Sequence, residues 1–115
     1  MKIKLVELAG LNEDLSHMIS EKINITVKMD IYKVIQKNIP IIESYEKLKL
    51  DFFKVNGVEK DGMFTLKSNL KKEILDELDD LNNKEEEVKL PFDFSIMENI
   101  VNEHPYLTLI RLFSE

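Results

Sequence analysis

Two histidines carry most of the chemistry this chain offers, and one of them has carboxylates at helical spacing. His17 stands in LNEDLSHMISEK with Glu13 four residues before it, Asp14 three before it and Glu21 four after it. On a helix these side chains share a face, which suits a divalent cation. Di-metal helical bundles, however, use two Glu-x-x-His pairs with further carboxylates, and this segment supplies the single pair Asp14-x-x-His17. The expectation is a solvated polar face with no metal ligand assigned. His104 precedes Pro105 and reads as the neighbour of a helix start.

Other chemistries lack their residues. There is no Cys, which excludes disulfides, thiolate nucleophiles and Cys-based zinc sites. No Ser or Thr lies in a nucleophile motif, and Gly10, Gly57 and Gly62 form no phosphate loop. The acidic stretch EILDELDDLNNKEEE, residues 73–87, has neither the ligand spacing nor the central glycine of a calcium loop. Its adjacent acids suit a solvated helix better than paired-carboxylate catalysis. The chain is read as non-enzymatic, with no catalytic residue and no cofactor.

Charge points the same way. Residues 1–57 hold nine lysines and eight acids, whereas residues 58–115 hold seven basic and fourteen acidic residues, for a net charge of -6 overall. With no basic stripe and no Trp, direct nucleic-acid binding is not expected. The apolar run at the N-terminus is cut short by Glu7, Glu13 and Asp14, so neither a secretory signal nor a membrane span is read. A cytoplasmic protein, or one assembled there into a virion, is the expectation.

The elements that must position these residues follow from periodicity. IKLVEL, residues 3–8, reads as a strand ended by Gly10, and 11–22 as a helix capped by Asn12. After a short link, Thr26 caps a long helix over about 27–56. Its apolar seam is Val27, Ile31, Val34, Ile41, Tyr45, Leu48, Phe52 and Val55, with Asn38 the one polar member. Tyr32, Ile35, Ile39 and Ile42 widen the buried face, and the helix would be about 45 Å long. Pro40 lies inside it. Because the seam keeps phase on both sides, a kinked continuous helix is expected, the alternative being a break at 38–40 with Asn38 capping the second half.

Gly57 reads as the helix C-cap, and Asp61-Gly62 as a turn between Val58 and the run at about 63–66, forming a small β-hairpin or a strand after a tight turn. A third, acidic helix over about 69–83, capped by Ser68 or Asn69, carries Leu70, Ile74, Leu78 and Leu81 on one face. A strand at about 86–91, a short helix capped by Ser95 and a last helix starting at Pro105 complete the chain.

The resulting fold class is α+β, mainly α, in a single domain spanning 1–115. An antiparallel helical hairpin sets the long helix against the acidic one, with the strands at 3–8 and 86–91 paired. The acidic helix is placed to face Lys28, Lys33, Lys37, Lys47, Lys49 and Lys54. The long seam outruns its partner, and an uncovered apolar strip marks a protein interface. Its expected anchors are Tyr45, Phe52, Phe53, Tyr106 and Phe113.

In layout, the lysine-rich helix from TVKMDIYKVIQKN through YEKLKLDFFKVNGVEKDGMFTL, the helix EILDELDDLNN and the strand EEEVKLPF resemble small uncharacterised proteins of tailed phages and prophages of low-GC bacteria. The resemblance covers roughly residues 25 to 95, and Pro40 departs from the uninterrupted helix expected there. It implies a phage-borne accessory or virion-associated protein and carries over no site residue. Three readings result. The first is an interaction and assembly protein, self-associating or bound to a protein partner. The second is an acidic anti-defence inhibitor whose Asp76, Asp79 and Asp80 face blocks a basic nucleic-acid-binding site. The third, resting on His17 alone, is a metal-dependent hydrolase.

Overall fold

Strand β1 (Lys2–Lys4) passes without a loop into helix α1 (Leu5–Met18), and a turn leads to the long helix α2 (Ile25–Asn56). Then come β2 (Gly57–Lys60), β3 (Met63–Leu66), α3 (Lys72–Asn83) and β4 (Glu85–Glu87). A 3-10 turn (Phe94–Asn99) and helix α4 (Leu107–Ser114) complete the fold. The computed structural model describes residues 1–114. The architecture is α+β, mainly α, with two separate two-stranded antiparallel sheets, β1–β4 and β2–β3.

The expected strand at 3–8 is cut to Lys2–Lys4 because helical periodicity takes over at Leu5. Leu5, Leu8, Leu11, Leu15 and Met18 form one buried stripe, and burying it outweighs the β-propensity of the opening residues. Gly10 therefore lies inside α1 rather than ending a strand. A Cβ there would stand 2.6 Å from Thr108 Oγ1, so glycine lets α4 approach closely. The helix also stops at Met18, short of residue 22.

Helix α2 runs unbroken through Pro40. Gln36, whose carbonyl loses its amide partner, and Pro40 are both exposed one turn apart, so water can satisfy that carbonyl. The alternative break with Asn38 as a cap does not occur. Asn38 is buried, and its Nδ2 donates to Asn12 Oδ1 at 2.9 Å, while Asn12 Nδ2 donates to the Ile35 carbonyl at 3.1 Å. The N-cap of α2 is Asn24, which accepts from Thr26 N at 2.8 Å, in place of Thr26 itself.

Gly57 has φ −122° and is not a left-handed cap; it enters β2 directly. Space is the constraint there, since a Cβ would meet the Phe53 carbonyl oxygen at 2.5 Å and that of Thr65 at 2.7 Å. Asp61 (φ 54°) and Gly62 (φ 78°) then supply the two positive-φ residues of a tight hairpin.

The first strand pairs with the segment after α3 as expected, but β4 is Glu85–Glu87 rather than 86–91, because β1 offers only three residues to pair with. Lys2 lies opposite Glu87 and Lys4 opposite Glu85, so opposite charges face across the ladder. Helix α3 starts at Lys72 with no side-chain cap, so Ser68 and Asn69 lie before it uncapping. Asp93 rather than Ser95 caps the turn at 94–99, and α4 begins at Leu107, two residues after Pro105. The main partner of α2 is α1, against its N-terminal half. Helix α3 returns so that its last turn meets the middle of α2, where Tyr45 Oη donates to Asn82 Oδ1. The core gathers α1, the first half of α2, α4, Ile3 and Val88 at one end of a body 52 Å long. No described helix is long and apolar enough to cross a membrane.

Candidate functional site

Two regions merit attention, one polar and one apolar. The polar one is built where α1 meets the segment leading into α4. The face of α1 opposite its leucine junction with α2 presents Glu13, Asp14 and His17, and Glu21 follows just beyond the helix end. Asp14 is buried. Its Oδ2 accepts the Leu109 amide at 2.9 Å, and its Oδ1 lies 2.7 Å from His104 Nε2. It thus caps the open N-terminus of α4 from a neighbouring helix, where a carboxylate also meets the positive end of the helix dipole.

That cross-cap explains the late start of α4. Tyr106, buried at 2% exposure, occupies the position before the helix with φ 49°. A tyrosine cannot cap with its own side chain, and its ring is committed to the core, with Oη accepting from Asn102 Nδ2 at 2.8 Å. Burial pushes the Tyr106 hydroxyl above its usual pKa range, with the nearby Glu21 and Asp14 charges adding to the shift against the Asn102 hydrogen bond. Glu21, also buried, accepts from the amides of Val101 and Asn102, the latter at 2.8 Å.

The His17 and His104 rings stack with centroids 3.8 Å apart and planes 10° from parallel. One ligand atom each from Glu13, His17 and His104 lie within 4.8 Å of one another. Sequence spacing had gathered Glu13, Asp14, His17 and Glu21 on one face. The structure splits that set: Asp14 and Glu21 turn inward to bind backbone amides, while Glu13 and His17 stay exposed. His104, read only as a helix neighbour, is the residue sequence reasoning missed. Its local signal is the turn in which Asn102 Oδ1 accepts the His104 amide at 3.0 Å, but nothing local joins it to a helix more than eighty residues earlier.

The apolar region is the far end of the molecule. From Glu46 to Glu87 no residue is buried. Yet distal α2 and the β2–β3 hairpin carry exposed Leu48, Leu50, Val55, Val58 and Met63, with Val55 73% and Met63 72% exposed. A shallow hollow lies between Glu46, Lys49, Leu50, Phe53 and Phe64. Of the expected anchors, Phe52 and Phe53 are half-exposed here, with their rings edge to face at 6.2 Å. Tyr45 and Tyr106 are instead buried, and present no ring to a partner. Phe113 is half-buried against Phe92 and Phe94. Asp76, Asp79 and Asp80 are exposed. Among the described residues no α2 lysine forms an ion pair with α3, contrary to the expected facing of lysines and acids.

Comparison of the chain with known protein families, curated proteins and solved structures finds no match to any of them.

Proposed function

We propose that the chain is a non-enzymatic assembly protein that docks through its distal arm, the end of α2 with the β2–β3 hairpin, and that the first occupant is a second copy of the chain. The observation that carries this reading is the stretch from Glu46 to Glu87, which buries no residue while displaying an apolar surface. Such surface on an otherwise polar chain marks a contact site. Charge supports a second copy as occupant. The arm is rimmed by Lys47, Lys49 and Lys54, and the acids of α3, which form no ion pair among the described residues, supply the complement on another molecule. The phage or prophage setting implied by the layout resemblance suits this role, with the protein accessory in the host cytoplasm or associated with the virion.

Light scattering at low and high salt tests it. The expected mass is that of two or more chains, persisting at high salt because the contact is apolar. Leu50→Glu with Phe53→Ser should return a folded monomer whose melting temperature no longer rises with protein concentration, as that of the wild type should. A wild-type chain that is monomeric at every concentration and salt overturns the reading.

A second reading, the acidic inhibitor, draws on Asp76, Asp79 and Asp80, which are exposed and form no ion pair among the described residues. It requires salt-sensitive binding to a basic nucleic-acid-binding protein, and retention of that binding after charge reversal at all three positions removes it.

A further inference from the structure

We propose that Glu13, His17 and His104 form a binding site for a divalent transition-metal ion, with Asp14 as the outer carboxylate that orients His104. This inference is independent of the arm, and it departs from the solvated face expected from sequence, because the folded chain adds a second histidine to the first.

The donor set comes first. Two imidazole nitrogens and one carboxylate oxygen are the ligands of three-residue zinc centres that leave a position open, and imidazole selects zinc, nickel, cobalt or copper over calcium and magnesium. Ligand atoms about 2.0–2.2 Å from one ion lie roughly 3–4 Å apart. The three donors already fall within 4.8 Å of one another, so a small side-chain movement closes the set.

The second observation is the Asp14–His104 pair. Metal-bound histidines characteristically donate their other ring N–H to a carboxylate, which fixes tautomer and ring direction. Asp14 is buried, held in place by the Leu109 amide, and its Oδ1 stands 2.7 Å from His104 Nε2. An ion at the site would select the tautomer in which Nε2–H donates to that carboxylate and Nδ1 turns its lone pair to the metal.

The stack sets the one adjustment needed. Lone pairs lie in the ring planes, and these planes are nearly parallel, so an ion shared by both rings requires one to turn. His104 is pinned by Asp14. His17 is exposed, and the torsion that swings an imidazole is broad and soft. His17 therefore turns on binding, and the ion clasps α1 to the segment that carries α4.

The experiment uses the untagged full chain. Zn2+, Ni2+ or Co2+ is titrated by calorimetry and by thermal melting, with Mg2+ and Ca2+ in parallel. The expected result is one transition-metal ion per chain. The melting temperature should rise by on the order of 10 °C at free metal about a hundred times Kd, with no comparable rise for Mg2+ or Ca2+. Co2+ should show the visible absorption of a four- or five-coordinate centre. His17→Ala removes an exposed ligand and should abolish the shift while the metal-free protein still folds. Glu13→Gln should weaken binding, and Asp14→Asn should weaken it about 10–100-fold. No transition-metal binding by the wild-type chain overturns the proposal, as does binding that survives both His17→Ala and Glu13→Gln.

Discussion

Replacing Asn38 with alanine tests what joins α1 to α2. Asn38 is the polar member of the α2 seam and is 2% exposed, and Asn12 on α1 is 9% exposed. The Asn38 amide donates to Asn12 Oδ1 at 2.9 Å. Without it, Asn12 Oδ1 is left buried with no partner, at a cost of about 1–3 kcal/mol. The packing lost with the side chain brings the total to about 2–4 kcal/mol. For a chain of this length that lowers the melting temperature by roughly 10 °C. Urea unfolding at neutral pH measures the free energy directly. The double variant Asn12→Leu with Asn38→Leu removes both side-chain amides together and should recover most of the loss, because no side-chain polar atom is then left unpaired and the Ile35 carbonyl alone gives up the Asn12 donor. A single variant within about 0.5 kcal/mol of wild type, or a double variant as unstable as the sum of the singles, would refute the argument that the two amides act as a pair.

Two further perturbations follow from the same geometry. Pro40→Ala restores an amide for the Gln36 carbonyl at an exposed turn and should stabilise the chain by about 1–3 kcal/mol in thermal or urea unfolding; a loss of stability would mean that the proline ring is itself a needed contact. Tyr106 titrates above its ordinary range in the folded state because it is buried. The unfolded chain thus loses this proton first, so the contribution is intact at neutral pH and falls away as pH rises beyond about 10. Melting curves across that window should steepen downward for the wild type and flatten for Tyr106→Phe, and equal slopes would contradict the assignment.

What the sequence made legible is what local periodicity encodes. The seam of α2 holds phase from Val27 to Val55, and that phase correctly signalled a helix continuous through Pro40. The Asp61-Gly62 turn and the pairing of the first strand with the segment after α3 were legible for similar reasons, one from backbone chemistry and the other from matched short β-rich runs. The misplacements have a common cause. Leu5 and Leu8 suit a strand as well as a helix, and only the tertiary stripe they share with Leu11 and Leu15 decides for helix. Pro105 is a good first residue for a helix, but burial of the Tyr106 ring sets a positive φ that delays it. Tyr45 and Tyr106 have the composition of interface anchors, and whether an aromatic is core or surface is settled by neighbours distant in the chain. The His17–His104 stack was invisible for the same reason: one histidine had a helical face around it, and the other had only a turn.

The placement of buried polar groups divides the molecule in two. Asn12, Asp14 and Glu21 lie on or just after α1, and each bonds a different element: Asn12 the middle of α2, Asp14 the first turn of α4, Glu21 the amides of Val101 and Asn102. Apolar contacts alone would let helices slide or rotate at modest cost, since one leucine stripe fits another in several registers. A buried carboxylate that must find two amides accepts one arrangement, because every other leaves a charge unsatisfied. Helix α1 is therefore the hub that fixes orientation. Beyond Tyr45 the logic reverses: α2 continues, the hairpin folds back on its end, and no buried group, polar or apolar, constrains the arm until Val88. With its ladder and partly buried contacts but no buried core of its own, the arm belongs to the low-stability end of the fold, which is the basis for proposing that contact completes it. What carries the arm out from the end rich in buried hydrogen bonds is the unbroken helix α2, so a second copy docking there, as proposed, would meet it at a defined angle rather than on a loose tether.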